Sequence, residues 1–309
     1  MKRNILDIKG LKVGQAQNMQ ARTGVTVVLA ESGALCGVDV RGAAPGTRET
    51  DLLNAINTIE QVHAIVLSGG SAFGLDAAGG VMAYLEKKGI GFDVGITTVP
   101  IVPAAVLFDL ENGNGFIRPD KSMGHEACEN ASNTILEEGD FGAGCGATVG
   151  KILGSEHVSN GGIGSWAETT ENGITVAALI AVNAFGDVYE NGTIIAGAKT
   201  ADGNFFPAED GILSLTSGLR FAGKNTTIGV IATNISLTKA QATKVAGMAH
   251  DGLARCIRPV HTTMDGDTLF CLSTGEIQTD SPPLDLIGIL AAKATEKAVI
   301  RAIKMARTL

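Results

Sequence analysis

The sequence predicts an α+β domain in which β-sheets are covered by helices, and three observations lead there. Val/Ile/Thr-rich runs and helical runs both recur along the 309 residues, they do not alternate strictly, and 41 glycines lie among them without a fixed period. Strict alternation would indicate a doubly wound parallel sheet, so its failure favours layered sheets and helices. Glycine at this density marks tight turns and close backbone approaches, not a collagen repeat.

In chain order, strands are expected in "GVTVVLA" (24–30) and "AIVLSG" (64–69), each β-branched and bounded by turn residues. Further strands are expected in "TVAALIAVNAFGDV" (175–188), "TIGVIATN" (227–234) and "DTLFCLST" (267–274). Helices are expected over 48–62 ("RETDLLNAINTIEQV"), 72–89, 123–139, 237–257 and 284–307. The fourth opens with Thr238 and Gln241 in capping-box spacing and is followed by Pro259. The last begins after Pro282–Pro283 and carries Leu286, Ile289, Leu290, Val299, Ile300 and Ile303 at roughly helical spacing. The polar, turn-rich stretch 198–219 reads as a linker running towards Lys224.

Bulk properties exclude several classes of function. The formal charge is −8 with no basic tract, which disfavours nucleic acid and anionic membrane surfaces as partners. No uncharged apolar run approaches a membrane span, and "MKRNILDIKG" lacks a signal-peptide core. Cys36, Cys128, Cys145, Cys256 and Cys271 are odd in number and without CxxC spacing, as expected of reduced thiols in a cytoplasmic protein.

Most motifs have a plain reading. "GAGCGATVG" (142–150) is not GxGxxG and no strand precedes it, so a nucleotide site is disfavoured. "LSGGSAFGLDAAGG" (67–80) places Gly70 and Ser71 between a strand and a helix, either as a plain β–α connection or as a turn lining a pocket for an anion or carboxylate. Ser71 lacks the GxSxG spacing of a nucleophile elbow. His63, His125, His157, His250 and His261 lie far apart without HExxH, which favours structural or surface histidines over a metal site.

Two features carry chemistry together. In "TMDGDTLF" (263–270), Asp265 and Asp267 share one side of an extended chain, either as a solvated turn around Gly266 or as a carboxylate pair that donors must neutralise. In "KNTTIGVIATN" (224–234), Thr226 and Thr227 open an apolar strand. A threonine freed at a new amino terminus has its own base, an α-amine with pKa about 7.7–8.0. Nearby carboxylates would orient that amine, and an amide side chain would hold the tetrahedral oxyanion.

The blocks "AIVLSGGSAFGLDAAGGVMAYLEKKGIGFDV", "VPIVPAAVLFDL", "GAGCGATVGK", "GGIGS", "ALIAVNAFGDV" and "NTTIGVIATN" resemble, in order, those of the self-processing L-aminopeptidase/D-esterase family, peptidase S58. The resemblance runs from about Ile5 to Leu309. It implies an αββα four-layer sandwich like that of N-terminal-nucleophile hydrolases, in one domain spanning 1–309, cut into fragments 1–225 and 226–309 that remain together, commonly as a homotetramer. Carried over residue by residue, it puts the scissile bond at Asn225–Thr226 and makes Thr226 the nucleophile, with Asp265 and Asp267 in support. Asn183 matches the oxyanion-side asparagine and Lys151 a pocket lysine, although the next block reads "SNGGIGS" where relatives often have a lysine before the paired glycines. Phe108 stands where aminopeptidase members often carry a tyrosine donor, so it leaves oxyanion stabilisation to other groups. The Asn-Thr cut resembles the endo-type 6-aminohexanoate-oligomer (nylon oligomer) hydrolase branch. The implied activity is a cofactor-free, metal-free hydrolase of linear amides. Rival readings are a β-peptidyl or D/L-aminopeptidase of the same family, an ornithine-acetyltransferase-like acyltransferase that also cuts before Thr, and an uncleaved ligand-binding protein.

Overall fold

A computed structural model describes residues 3–214 and 224–307 of the chain. Among the described residues nine strands build the main sheet system, eight of them labelled β1 (Lys12–Asn18), β2 (Thr23–Val40), β3 (Gln61–Ser68), β4 (Ala104–Val106), β5 (Gly162–Thr169), β6 (Thr175–Asn183), β7 (Thr226–Ile235) and β8 (Thr268–Ile277). Hydrogen bonding runs in the order β5-β6-β7-β8-β2-β3-β4 and ends on the short edge strand Thr47–Arg48, with β1 beside β2. The long β2 joins two halves: residues 35–40 pair with β8, whereas residues 23–29 pair with β1 and 25–29 with β3.

Side-chain alternation turns this path into two stacked sheets. Leu179 of β6, Val230 of β7 and Phe270 of β8 share one buried core with Val28 of β2 and Ile65 and Leu67 of β3. Their neighbours point the other way, as a period of two requires. Ile180, Ile231 and Leu269 meet Val245, Leu253 and Val299 of helices over Lys239–Cys256 and Leu284–Met305. On the opposite outer face, Val27 and Val66 meet Val81, Leu85 and Ala127 of helices over Ala77–Lys87 and Lys121–Glu129. In chain order these helices are α1 (Ala77–Lys87), α2 (Lys121–Glu129), α3 (Lys239–Cys256) and α4 (Leu284–Met305). The layers therefore run α–β–β–α, the sandwich that the resemblance implies.

Small residues permit the tight layers. A Cβ on Gly80 of α1 would lie 1.8 Å from the Lys121 carbonyl oxygen, and one on Gly124 of α2 2.1 Å from that of Ala77. Those two glycines let the backbones of the pair approach. The Thr238–Gln241 capping box forms at the start of α3 as its spacing predicts.

Several local expectations are corrected. Residues 48–62 do not form a helix: a 3-10 turn spans Asp51–Leu53 and Gln61 already begins β3. Asn54 and Asn57 bond nearby backbone instead, and the buried Lys239 ammonium collects the carbonyls of Leu52, Asn54 and Asn57. The helix expected over 123–139 ends at Glu129 because Ser132 pairs with Val13 at the sheet edge. The strand expected over 175–188 stops at Asn183 and resumes over Asp187–Glu190. The linker expected over 198–219 is folded as far as residue 214, with a one-turn helix at Ala208–Leu213, and residues 215–219 lie outside the described residues. Strands β1 and β5 carry no prediction from the sequence, because neither shows a clean β-branched run.

Candidate active site

The ends of β6 and β7 converge with the loop before β8. Thr226 is the first residue of β7 and lies directly opposite Asn183, the last of β6. Asn225 continues the pairing as a bridge to Asp265. Both Asn225 and Thr226 are buried, at 2% and 4% exposure. The Thr226 hydroxyl donates to the carbonyl oxygen of its own preceding residue, Asn225. That oxygen also accepts the Gly266 backbone N–H at 2.9 Å. Only glycine fits at 266, since a Cβ there would lie 2.5 Å from the Ala44 carbonyl oxygen and 2.8 Å from Thr226 Oγ1.

The aspartate pair is not a solvated turn, because both carboxylates are about 1% exposed. Asp267 Oδ1 accepts the Thr227 N–H at 2.7 Å, and its Oδ2 accepts the backbone N–H of His261 at 3.2 Å and His261 Nδ1 at 2.8 Å. Asp265 Oδ2 takes the Thr262 N–H at 2.9 Å and hydroxyl at 2.5 Å, while Oδ1 takes the Phe185 N–H at 3.4 Å. Burial first, and then the neighbouring Asp267 charge, pushes Asp265 up to about 6. The pair is thus held by hydrogen-bond donors. The break in the 175–188 strand supplies one of them, Phe185.

Asn183 and Lys151 form a second group on the acyl side of the Asn225–Thr226 bond. The Lys151 ammonium donates to Asn183 Oδ1 at 2.8 Å, to the Asn183 carbonyl at 3.3 Å and to the Lys224 carbonyl at 3.2 Å. Burial lowers its pKa to about 7, against the opposing pull of Asp265, Glu111 and Asp109. Fully buried Asn183 also accepts the Thr148 N–H at 3.0 Å and donates through Nδ2 to the Phe108 carbonyl at 3.0 Å. Neither Lys151 nor Asn183 bonds the Asn225 carbonyl. In the uncleaved chain that oxygen has Gly266 and Thr226 as its donors.

Two cavities flank the bond. The larger, about 260 Å³, is lined by Phe108, Glu111, Lys151, Lys224 and Asn225 among others, with Glu111 and Lys224 ion-paired. The smaller, about 110 Å³, is lined by Gly46, Ser71, Phe108 and Thr226 among others. Phe108 lines both. Gly70 sits behind Ser71: its left-handed backbone (φ +79°) sends its N–H to the buried Asp109 Oδ1 at 2.7 Å, and the Ser71 N–H goes to the Leu107 carbonyl at 2.9 Å. Both N–H groups are spent internally, so the turn shapes a wall and offers no anion cradle.

Sequence reasoning missed Gly266 and His261. Gly266 was visible only as a turn tip. His261 and His250, eleven positions apart, meet edge-to-face with ring centroids 4.8 Å apart, and no spacing rule signals that.

The four-layer α–β–β–α sandwich is a fold of the kind found among N-terminal-nucleophile hydrolases. The chain belongs to peptidase family S58, whose family model matches residues 3–309. It is a hydrolase of the amide (C–N) bond class. An uncharacterized aminopeptidase of Mycobacterium tuberculosis is 41% identical, with 97% of this chain and 88% of that protein covered. A 6-aminohexanoate-oligomer endohydrolase of Agromyces sp. is 30% identical over 95% of this chain and 81% of its own length. The solved L-aminopeptidase D-Ala-esterase/amidase from Ochrobactrum anthropi, described as a variant of the Ntn hydrolase fold, superposes with a TM-score of 0.75 at 17% identity. That match covers 99% of this chain and 86% of the other.

Proposed function

We propose that the protein is an autoprocessed amide hydrolase with Thr226 as its N-terminal nucleophile. The observation that carries this reading is the Thr226 hydroxyl lying against the Asn225 carbonyl while the Gly266 N–H donates to the same oxygen. Thr226 Oγ1 attacks the Asn225 carbonyl carbon, and negative charge gathers on the oxygen that Gly266 already faces. The Asn225–Thr226 C–N bond breaks as the hydroxyl proton passes to the Thr226 nitrogen, leaving an ester. Water then hydrolyses the ester, giving an Asn225 carboxylate on fragment 1–225 and restoring the Thr226 hydroxyl on fragment 226–309, beside the amine already freed.

In turnover the α-amine takes the hydroxyl proton, and Thr226 forms an acyl-enzyme with release of the substrate's amine. Water next releases the acid. Asp265 and Asp267 support the amine and its peptide plane, and Asn183 with Lys151 stabilises the oxyanion from the acyl side. Substrates are linear amides with flexible, low-charge backbones: 6-aminohexanoate oligomers, or small β- or D/L-amino-acid amides and peptides. The two named relatives, an aminopeptidase and an oligoamide hydrolase, support that range. The processed protomers assemble as a homotetramer.

Intact-mass measurement and N-terminal sequencing of purified protein test the proposal. The expected small fragment begins Thr-Thr-Ile-Gly, and Thr226→Ala abolishes both cleavage and amide hydrolysis. Active protein that is uncut, or cut elsewhere, overturns it.

A further inference from the structure

We infer that His261 is a positioning residue for the reaction at Thr226, acting through Asp267; the inference rests on the reading of Thr226 as nucleophile. Among the described residues, His261 supplies two of the three hydrogen bonds that the Asp267 carboxylate receives, from its backbone N–H at 3.2 Å and its Nδ1 at 2.8 Å, both to Oδ2. With Oδ2 pinned by two donors, the carboxylate plane is fixed and Oδ1 stays on the Thr227 N–H at 2.7 Å. That N–H belongs to the peptide plane leaving Thr226, so the chain of contacts ends on the orientation of the nucleophile.

Two local costs indicate that this arrangement serves more than packing. His261 has φ +56°, a left-handed conformation that non-glycine residues seldom adopt. Through that conformation, backbone N–H and ring together reach one oxygen. The second cost is polar. His250 Nε2 lies 3.1 Å from the Asp39 carbonyl, which can only accept, so Nε2 carries the proton and Nδ1 is a bare lone pair. His261 Nδ1 faces a carboxylate, which can only accept, so Nδ1 carries a proton. His250 Nδ1 and His261 Nε2 are both buried without a hydrogen-bond partner among the described residues. Burial lowers His250 to about 4, so the ring set edge-to-face against His261 stays neutral. Asp267 thus gets its ring donor from His261, with an uncharged neighbour behind it.

Two substitutions in the full-length chain test this. His261→Gly keeps the backbone N–H and tolerates the left-handed conformation but removes the ring donor. His261→Asn tolerates the same conformation and places an amide N–H where Nδ1 was. The readouts are the first-order rate of cleavage in freshly synthesised protein by intact mass, kcat and KM of the processed enzyme, and the thermal midpoint. His261→Gly is expected to slow cleavage and lower kcat by about 10- to 100-fold with KM nearly unchanged, the scale of a small misplacement of reacting groups. His261→Asn is expected to stay within about threefold of the unsubstituted protein. In an Asp267→Asn background, His261→Gly should add nothing further. His261→Gly cleaving and turning over at the original rates overturns the inference. So does a slow His261→Asn whose losses track a fallen midpoint. Should His261→Gly not fold, the His261→Asn rates decide alone. If the unsubstituted chain is not cut before Thr226, the parent reading fails instead, and the two failures are distinguished.

Discussion

The Gly266 backbone N–H points at the Asn225 carbonyl oxygen from 2.9 Å, so the bond proposed to break already has a donor on the oxygen that would become negative. The donor belongs to the main chain, and no side-chain rotation can move it away. Gly266→Ala would place a methyl 2.8 Å from Thr226 Oγ1 and 2.5 Å from the Ala44 carbonyl. Alanine keeps the N–H, but the clash must shift it or Thr226 Oγ1, so cleavage is expected to fall by a factor on the order of 10², the scale of a small misplacement of reacting groups. A time course of intact mass checks this, and cleavage at the original rate would contradict the requirement for glycine beside Thr226.

The adjacent threonines should separate cleanly. Among the described residues Thr227 Oγ1 is buried without a hydrogen-bond partner, while Thr226 Oγ1 donates to the Asn225 carbonyl. Thr227→Val replaces an unsatisfied hydroxyl with a methyl group, so stability should rise by about 1 kcal/mol with processing retained. Denaturant unfolding and intact mass on the same sample measure both effects. Loss of processing in this variant would mean that the wrong threonine has been assigned.

Asp265 gives stability a pH signature. Its folded pKa is raised to about 6, mainly by burial, so the folded chain binds a proton that the unfolded chain has already released between about pH 4 and 6. The group's contribution is present below its unfolded value and is lost as pH rises through about 6. In the uncleaved Thr226→Ala background, Asp265→Asn should therefore gain on its parent by roughly 2–3 kcal/mol between pH 4 and pH 7. Urea unfolding at the two pH values tests the sign. A difference that shrinks with rising pH contradicts the burial argument.

Lys151 should be the most reactive lysine of the uncleaved chain near neutrality. With a pKa lowered to about 7 by burial, most of it is neutral amine at pH 7.5. An ordinary lysine is then only about 0.1% neutral. Brief treatment of the Thr226→Ala protein with an amine-directed acylating ester, followed by peptide mass mapping, should find Lys151 labelled ahead of surface lysines. Uniform labelling would contradict the lowered pKa.

Much of the fold was legible in advance, for local reasons. The β-branched runs in β2, β3, β6, β7 and β8 and the capping box of α3 carry their structure in short-range pattern, and the structure forms each. Residues 48–62 misled because their apolar spacing is helical, yet three of their carbonyls are claimed by Lys239, 182 or more positions away in the chain. Residues 130–139 misled for the same reason, through the pairing of Ser132 with Val13.

The sequence by itself determined that Thr226 opens a buried strand, that Asp265 and Asp267 stand two apart beside another strand, and that the chain resembles a self-processing hydrolase family. Only the tertiary structure decided what meets what. It laid Gly266 on the Asn225 carbonyl and Lys151 against Asn183, set Phe108 between two cavities and turned His261 onto Asp267. The physical reason is sequence distance. Periodicity and capping act within a few residues, whereas most of these contacts join segments far apart in the chain, and the short-range one, His261 on Asp267, depends on a left-handed turn that neither pattern announces.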